Sequence, residues 1–323
     1  MAWSKRRVLV TGGAGFLGAN LCHELARRGA RVTAIDSFLF GSGANVANLA
    51  GADIEVVRAD IRDVDLRTLC EGSNVIFNLA AQTSHMGGQR DPIADLMVNA
   101  TAQLRLIQAV RDAAPGCTVV HASSRQIYGR ARFLPVTEDH PLDPPDANAV
   151  SKLAGEQYWM LESKVHGHPV VSLRLTNCYG PRLRIRDARQ NFLGIWIRHA
   201  VAGTPFEVWG GEQLRDLAYV DDVTEAFLLA AETPGCYGKV FNIGGAAAAT
   251  LREIGDLLVR IAGGTSSYTV RNFPVERAAI DIGSYVADDT AFRNATGWRP
   301  AVMIEEGLQR CVDWYREHWD AYA

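Results

Sequence analysis

Three features of this chain predict an α/β fold built on a doubly wound parallel sheet. Short apolar strands alternate with helical stretches through the first half of the sequence. The first strand, Val8-Leu9-Val10, runs directly into Thr11-Gly-Gly-Ala-Gly-Phe-Leu-Gly18, and a helical stretch follows. The next strand, Arg31-Val-Thr-Ala-Ile35, ends on a carboxylate, Asp36. Alternation of this kind means a parallel sheet covered by helices on both faces. A strand, a glycine turn and a helix, followed by an acidic strand end, is the pattern of a dinucleotide site.

Taken in order, strands are expected at 8–10, 31–35, 54–57, 74–79, 117–122 and 170–175, with helices at about 16–29, 92–114 and 148–165. The sheet is therefore of Rossmann type. Gly12 and Gly15 allow a tight turn and a close approach to a pyrophosphate, whose charge is met by the helix N-terminus at Phe16 and Leu17. Gly18 lets helix and sheet pack closely. Asp36 accepts hydrogen bonds from ribose hydroxyls and repels a 2′-phosphate, which favours NAD over NADP. The loops 37–50 and 134–147 lie beyond carboxyl ends of strands, where open α/β sheets bind ligands. From about residue 176 the pattern becomes irregular. The expected organisation is an NAD-binding domain at 1–175 and a smaller, mixed α/β C-terminal substrate domain at 176–323, some of whose segments return to the first.

Composition narrows the class. A chain of 323 residues, 48% hydrophobic and 21% charged, buries a large core with an ordinary globular balance. A net charge of -3 gives no general attraction for nucleic acid or an anionic membrane. No apolar run reaches the ~18 residues of a membrane span. The first strand follows closely on the N-terminus, so no signal peptide is expected. Cys22, Cys70, Cys117, Cys178, Cys236 and Cys311 show neither CxxC nor metal-ligand spacing. They are expected as reduced thiols of a cytoplasmic protein without a metal site.

Other positions extend the nucleotide site. Asp60-Ile61 closes the third strand and suits an adenine ring, Asp60 through the exocyclic amine and Ile61 by packing. Asn78-Leu79-Ala80-Ala81 ends the fourth strand with small residues that allow backbone to approach the nicotinamide ribose. Asn99 lies in the following helix.

Further motifs carry a resemblance over nearly the whole chain. They are DIRD at 60–63, NLAA at 78–81, ASSRQIYG at 122–129, SKLAGEQY at 151–158, LRLTNCYGP at 173–181, RDLAYVDDV at 215–223 and Gly297-Trp298 before Arg299-Pro300. With the glycine turn they resemble the extended short-chain dehydrogenases/reductases that act on nucleotide sugars, of UDP-glucose 4-epimerase type. The resemblance implies tightly held NAD and transient oxidation of a sugar carbon. Epimerisation, dehydration or decarboxylation then precedes return of the hydride. It also implies dimerisation through two helices of each subunit. The segments 92–114 and 148–162 carry compatible apolar spacing, as a helix face buried within one monomer also would.

One position departs from the family. Its Tyr-x-x-x-Lys pair reads Asn148-Ala-Val-Ser-Lys152 here, although Ser124 matches the family's Ser/Thr. Residues i and i+4 share a helix face, so the lysine would sit near the phenol. Tyr128 and Tyr158 are out of register for that slot. An amide has no accessible ionisation and cannot be a general base. Three readings are open: a tyrosine replaced deliberately, a natural branch with another base, or a binding protein without turnover. The run Ser-Arg-Gln-Ile-Tyr-Gly with Asn-x-x-x-Lys is similar to a minority, epimerase-like branch and favours the second. Substitute bases are Lys152, if burial lowers its pKa, Cys178 as a proton relay, and His85 in the sugar-facing loop with Ser84.

The substrate side follows from the same resemblance. Family dehydratases carry Asp-Glu after the Ser/Thr, whereas Arg125-Gln126 offers no carboxylate for removing water. Arg125 suits a carboxylate, hydroxyl or phosphate, which leaves a uronic acid open. Asn177, Arg215 and Arg277 match sugar-diphosphate contacts, and Asp281 a nucleotide-ribose contact. The expected activity is NAD-dependent epimerisation of a nucleotide-diphosphate sugar, at C4 of a hexose. The alternatives are decarboxylation or oxidoreduction, 3- or 5-epimerisation, and non-catalytic binding of NAD or a nucleotide sugar.

Overall fold

The computed structural model describes residues 3–39, 43–187 and 191–323, with the side chain of Glu276 left aside. The first half holds β1 (Arg7–Thr11), α1 (Phe16–Arg27), β2 (Arg31–Asp36), β3 (Glu55–Arg58), α2 (Leu66–Cys70), β4 (Val75–Asn78), α3 (His85–Arg90), α4 (Pro92–Leu96), α5 (Ala102–Ala113), β5 (Thr118–Ser124), α6 (Ala147–His166) and β6 (Val170–Leu175). The second half adds β7 (Asn177–Tyr179), α7 (Phe192–Ala202), β8 (Phe206–Trp209), β9 (Leu214–Tyr219), α8 (Val220–Glu232), β10 (Lys239–Ile243), β11 (Ala248–Thr250), α9 (Leu251–Ile261), β12 (Tyr268–Arg271), α10 (Val275–Ala278), α11 (Thr290–Thr296), α12 (Ile304–Glu317) and α13 (Trp319–Tyr322).

Seven strands form one parallel sheet in the order β10-β6-β5-β4-β1-β2-β3. Successive side chains of a strand alternate between faces, so each buried strand feeds two cores. Val8, Val10, Val75 and Phe77 enter one apolar cluster, while Leu9 and Ile76 enter the other. Strand order reverses between β1 and β4, and the register sets Thr11 beside Asn78 there. That reversal opens the crevice in which doubly wound sheets bind their ligands.

The helix expected at 92–114 is present but interrupted. A π-helical turn at Met97–Thr101 separates α4 from α5 and carries Asn99. The expected 148–165 helix is α6, whose first turn is capped by Asp146 accepting from the Ala149 amide at 2.8 Å. Beyond residue 176, β11-β9-β7 and β12-β8 form two small sheets, while β10 pairs with β6 and joins the main sheet.

Candidate active site

The glycine turn is built by contact as much as by conformation. Gly12 has φ +69°, and a Cβ there would lie 2.9 Å from the Leu79–Ala80 backbone. At Gly18 a Cβ would stand 2.2 Å from the Gly12 carbonyl oxygen. The turn therefore lies against the end of β4, and α1 against the turn. Gly15 occupies the N-cap of α1 with extended backbone; the helix has no side-chain cap and no acidic residue in its first turn. Phe16 is buried and Leu17 half-buried, and their amides open the helix. Uncapped N–H groups with the helix dipole behind them suit an anion such as a pyrophosphate.

Asp36 ends β2 with its carboxylate braced by the amides of Ala14 (3.1 Å) and Phe38 (3.1 Å). Burial pushes its carboxyl up, and these amides pull it back in part. Thr11 holds the facing strand end: its Oγ1 donates to Asn78 (2.9 Å) and accepts from the amides of Leu79 and Ala80 (3.1 Å each). Leu79, Ala80 and Ala81 are half-buried along this edge. These features fit a dinucleotide laid across the switch point.

Two expected cofactor positions have local partners. Both carboxylate oxygens of Asp60 accept from Arg62, through Nε at 3.0 Å and Nη2 at 2.8 Å, while Ile61 packs inside. Asn99 is buried and bridges the loop after β4 to α4, accepting from the Gln82 amide (3.0 Å) and donating to Asp95 (2.9 Å).

Asn148 joins the same network. It is fully buried, and Nδ2 donates to the Gln82 carbonyl (2.9 Å) and Asp95 Oδ2 (2.8 Å). Both amide hydrogens are thus committed, and Oδ1 is buried without a partner. One helical turn on, Lys152 makes no hydrogen bond or ion pair with a described residue. Burial pushes its ammonium down to about 8, with the Asp95 charge opposing that shift. His121 is pushed down to about 3 by burial and by Lys152.

Asp146 ties the two sides of the site together. Its Oδ2 lies 2.9 Å from His85 Nδ1 and 3.3 Å from Gln126 Nε2. Burial raises its pKa and His85 lowers it, leaving the carboxyl below the usual carboxylate range. The Gln126 amide donates to Ser124 Oγ (3.1 Å), so Ser124 and α6 are linked through one glutamine. Ser84 caps α3, accepting from Gly87 N at 3.0 Å.

On the C-terminal side, Arg125 Nη2 donates to Asn177 Oδ1 at 2.5 Å, and its guanidinium lies 5.1 Å from the Tyr285 ring centroid. Arg215 is buried, bonded to the Leu214 and Gly283 carbonyls and to Asp281 at 3.3 Å. Arg277 is held apart from these, 4.9 Å over the Trp209 ring. Burial pushes the Cys178 thiol up to about 12 and its Sγ donates to the Thr176 carbonyl (3.4 Å), an environment that keeps the proton on sulfur at neutral pH. Tyr128 is equally unavailable: it is buried between Asn242 and Arg174 at 2.8 Å each and pushed up to about 12.

Sequence reasoning missed Gln82, Asp95, Asp146 and Tyr285. Asp146 had a signal, an aspartate just ahead of a helix start, which is an N-cap position. The others act across long sequence separations and leave no local pattern.

The sequence profile of the NAD dependent epimerase/dehydratase family matches residues 8–244. UDP-glucose 4-epimerase of Mycolicibacterium smegmatis is 33% identical over 314 residues, covering 96% of this chain and 98% of that protein. The structure of UDP-glucose 4-epimerase from Thermotoga maritima with UDP-glucose aligns at TM-score 0.87 and 28% identity, over 97% of this chain and 99% of that one. UDP-glucuronic acid 4-epimerase from Bacillus cereus, in complex with UDP-glucuronic acid and NAD, aligns at TM-score 0.84 and 25% identity over the same shares, 97% and 99%. A profile match of this length, with relatives that span the whole chain, means that the chain belongs to the NAD-dependent epimerase/dehydratase family and takes NAD as its cofactor.

Proposed function

We propose that the protein is a nucleotide-sugar epimerase that inverts C4 of a hexose through oxidation and re-reduction, with Lys152 as proton acceptor. Bound NAD supplies the hydride acceptor and, on return, the hydride donor. The observation that carries the reading is the arrangement around Asn148. Its amide hydrogens are held by Gln82 and Asp95, so Oδ1 is left to accept a hydrogen bond from a sugar hydroxyl. Lys152 lies on the same helix face, without an ion-pair partner among the described residues, and a buried amine loses its proton more readily. Ser124 Oγ, fixed by the Gln126 amide, is the second hydroxyl contact.

Relatives that act on UDP-glucose and UDP-glucuronic acid support the substrate class and the choice of C4. The test is mass spectrometry of nucleotide sugars incubated with the NAD-loaded protein in heavy water, with chromatographic separation of isomers. A new isomer without mass gain is expected. Deuterium incorporation would move the chemistry to enolisation, loss of carbon dioxide to decarboxylation, and no change in any sugar would overturn turnover itself.

A homodimer is part of the proposal, supported by the exposed apolar side chains of Ile93 on α4, Leu104 on α5, and Leu161 and Val165 on α6. Six cysteines, all free and buried, support a reducing compartment, and we assign the cytoplasm. No helix among the described residues is long and apolar enough to cross a membrane.

A further inference from the structure

Arg125 is a guanidinium without a direct ion pair among the described residues. No carboxylate of a described residue lies within ion-pair distance of it, and Nη1 is closed to solvent without any hydrogen-bond partner. Its neighbour Arg215 does have a carboxylate, Asp281 at 3.3 Å. Burial, and then the charge of Arg215, push the Arg125 guanidinium down to about 10, so it remains charged at neutral pH. Asp216 and Asp281 act on it only beyond ion-pair distance, and the oxygens of Asp216 accept from the Gly245 and Ala287 amides. Such a cation is costly to hold in a closed site unless an anion completes it.

We propose that Arg125 receives a carboxylate carried by the sugar ring, so that the preferred substrates are nucleotide-diphosphate uronic acids. Arg215 and Arg277 stand on β9 and α10, in the C-terminal half, whereas Arg125 directly follows Ser124 at the end of β5. Asn177 and the Tyr285 ring hold the guanidinium from two further sides. A C6 carboxylate is attached to C5, next to the carbon that Ser124 would serve. The inference thus rests on the nucleotide-sugar reading above. A planar fork with a free Nη1 suits a carboxylate better than a neutral hydroxymethyl group.

The test is calorimetric binding to the NAD-loaded protein of paired probes: UDP-glucose with UDP-glucuronic acid, and GDP-mannose with GDP-mannuronic acid, beside free UDP and GDP. The uronate of the pair that binds is expected to be tighter by about 10- to 100-fold. Arg125→Met should erase that preference and leave free nucleoside diphosphate binding unchanged, while Arg125→Lys keeps part of it. Equal binding of neutral and acidic sugars by the unmodified protein overturns the inference without any variant. Equal weakening of sugars and free diphosphates in Arg125→Met also overturns it, assigning the residue to the diphosphate. If no probe binds, the nucleotide-sugar reading itself fails, and the inference with it.

Discussion

At position 148 an amide stands where a phenol would ionise, and the bonds around it decide what it can do. With Nδ2 held by Gln82 and Asp95, Asn148 can orient a hydroxyl but not take its proton. That leaves Lys152, and its protonation gives a test of definite sign. The unprotonated amine is the competent form, so turnover should rise with pH through about 8 and level off above. The charge that acts on it is that of Asp95 on α4; His121 on β5, pushed down by burial and by Lys152, stays neutral across this range. In Lys152→Met we expect kcat to fall by about 10²–10⁴-fold and the rise with pH to vanish. Full turnover with full NAD retention would refute the assignment. Lys152 and Ser124 could be named as candidates from the sequence because each sits at a fixed offset in a motif. Asp95 was not, since its part in the site depends on α4 meeting α6 in space.

The elements show the same division between local pattern and tertiary contact. β1, the glycine turn, α1 and β2 were readable to within two residues at their ends, because strand period, glycine spacing and a terminal carboxylate are all written locally. The contact between α1 and the turn gives a stability prediction. A methyl at Gly18 would sit 2.2 Å from the Gly12 carbonyl oxygen, and backbone cannot yield there cheaply. Gly18→Ala should cost about 1–3 kcal/mol in denaturant unfolding and release NAD from the purified protein. An unaltered midpoint with NAD retained would show that the helix can shift. The π turn at Met97–Thr101 was beyond sequence reading, because it leaves the apolar spacing of the 92–114 stretch intact. It sits where Asn99 reaches both Gln82 and Asp95, and π turns gather at such functional positions.

For the whole molecule, exposed apolar side chains on neighbouring helices invite a second copy. Ile93 is 68% exposed, Leu161 53% and Val165 61%. Scattered surface leucines need no explanation, but a row along helices that pack on one another does. Sedimentation of the NAD-loaded protein should show a dimer, and Ile93→Asp with Leu161→Asp should yield monomers that keep their NAD. A monomeric unmodified protein would remove the proposal. The C-terminal half was the least legible part of the fold. Its strands are short and pair across the chain, as β12 does with β8, so no local period announces them.

The return of β10 to the main sheet also sets a schedule for synthesis. β6 buries all six of its residues, and its outer edge stays unpaired until Lys239–Ile243 arrives. At about 5–20 residues per second, a ribosome spends on the order of several seconds between the two strands. Throughout that interval the nascent chain offers an open, apolar strand edge to any other chain nearby. Midway through its own translation the chain therefore carries an apolar strand edge that only the arrival of β10 closes.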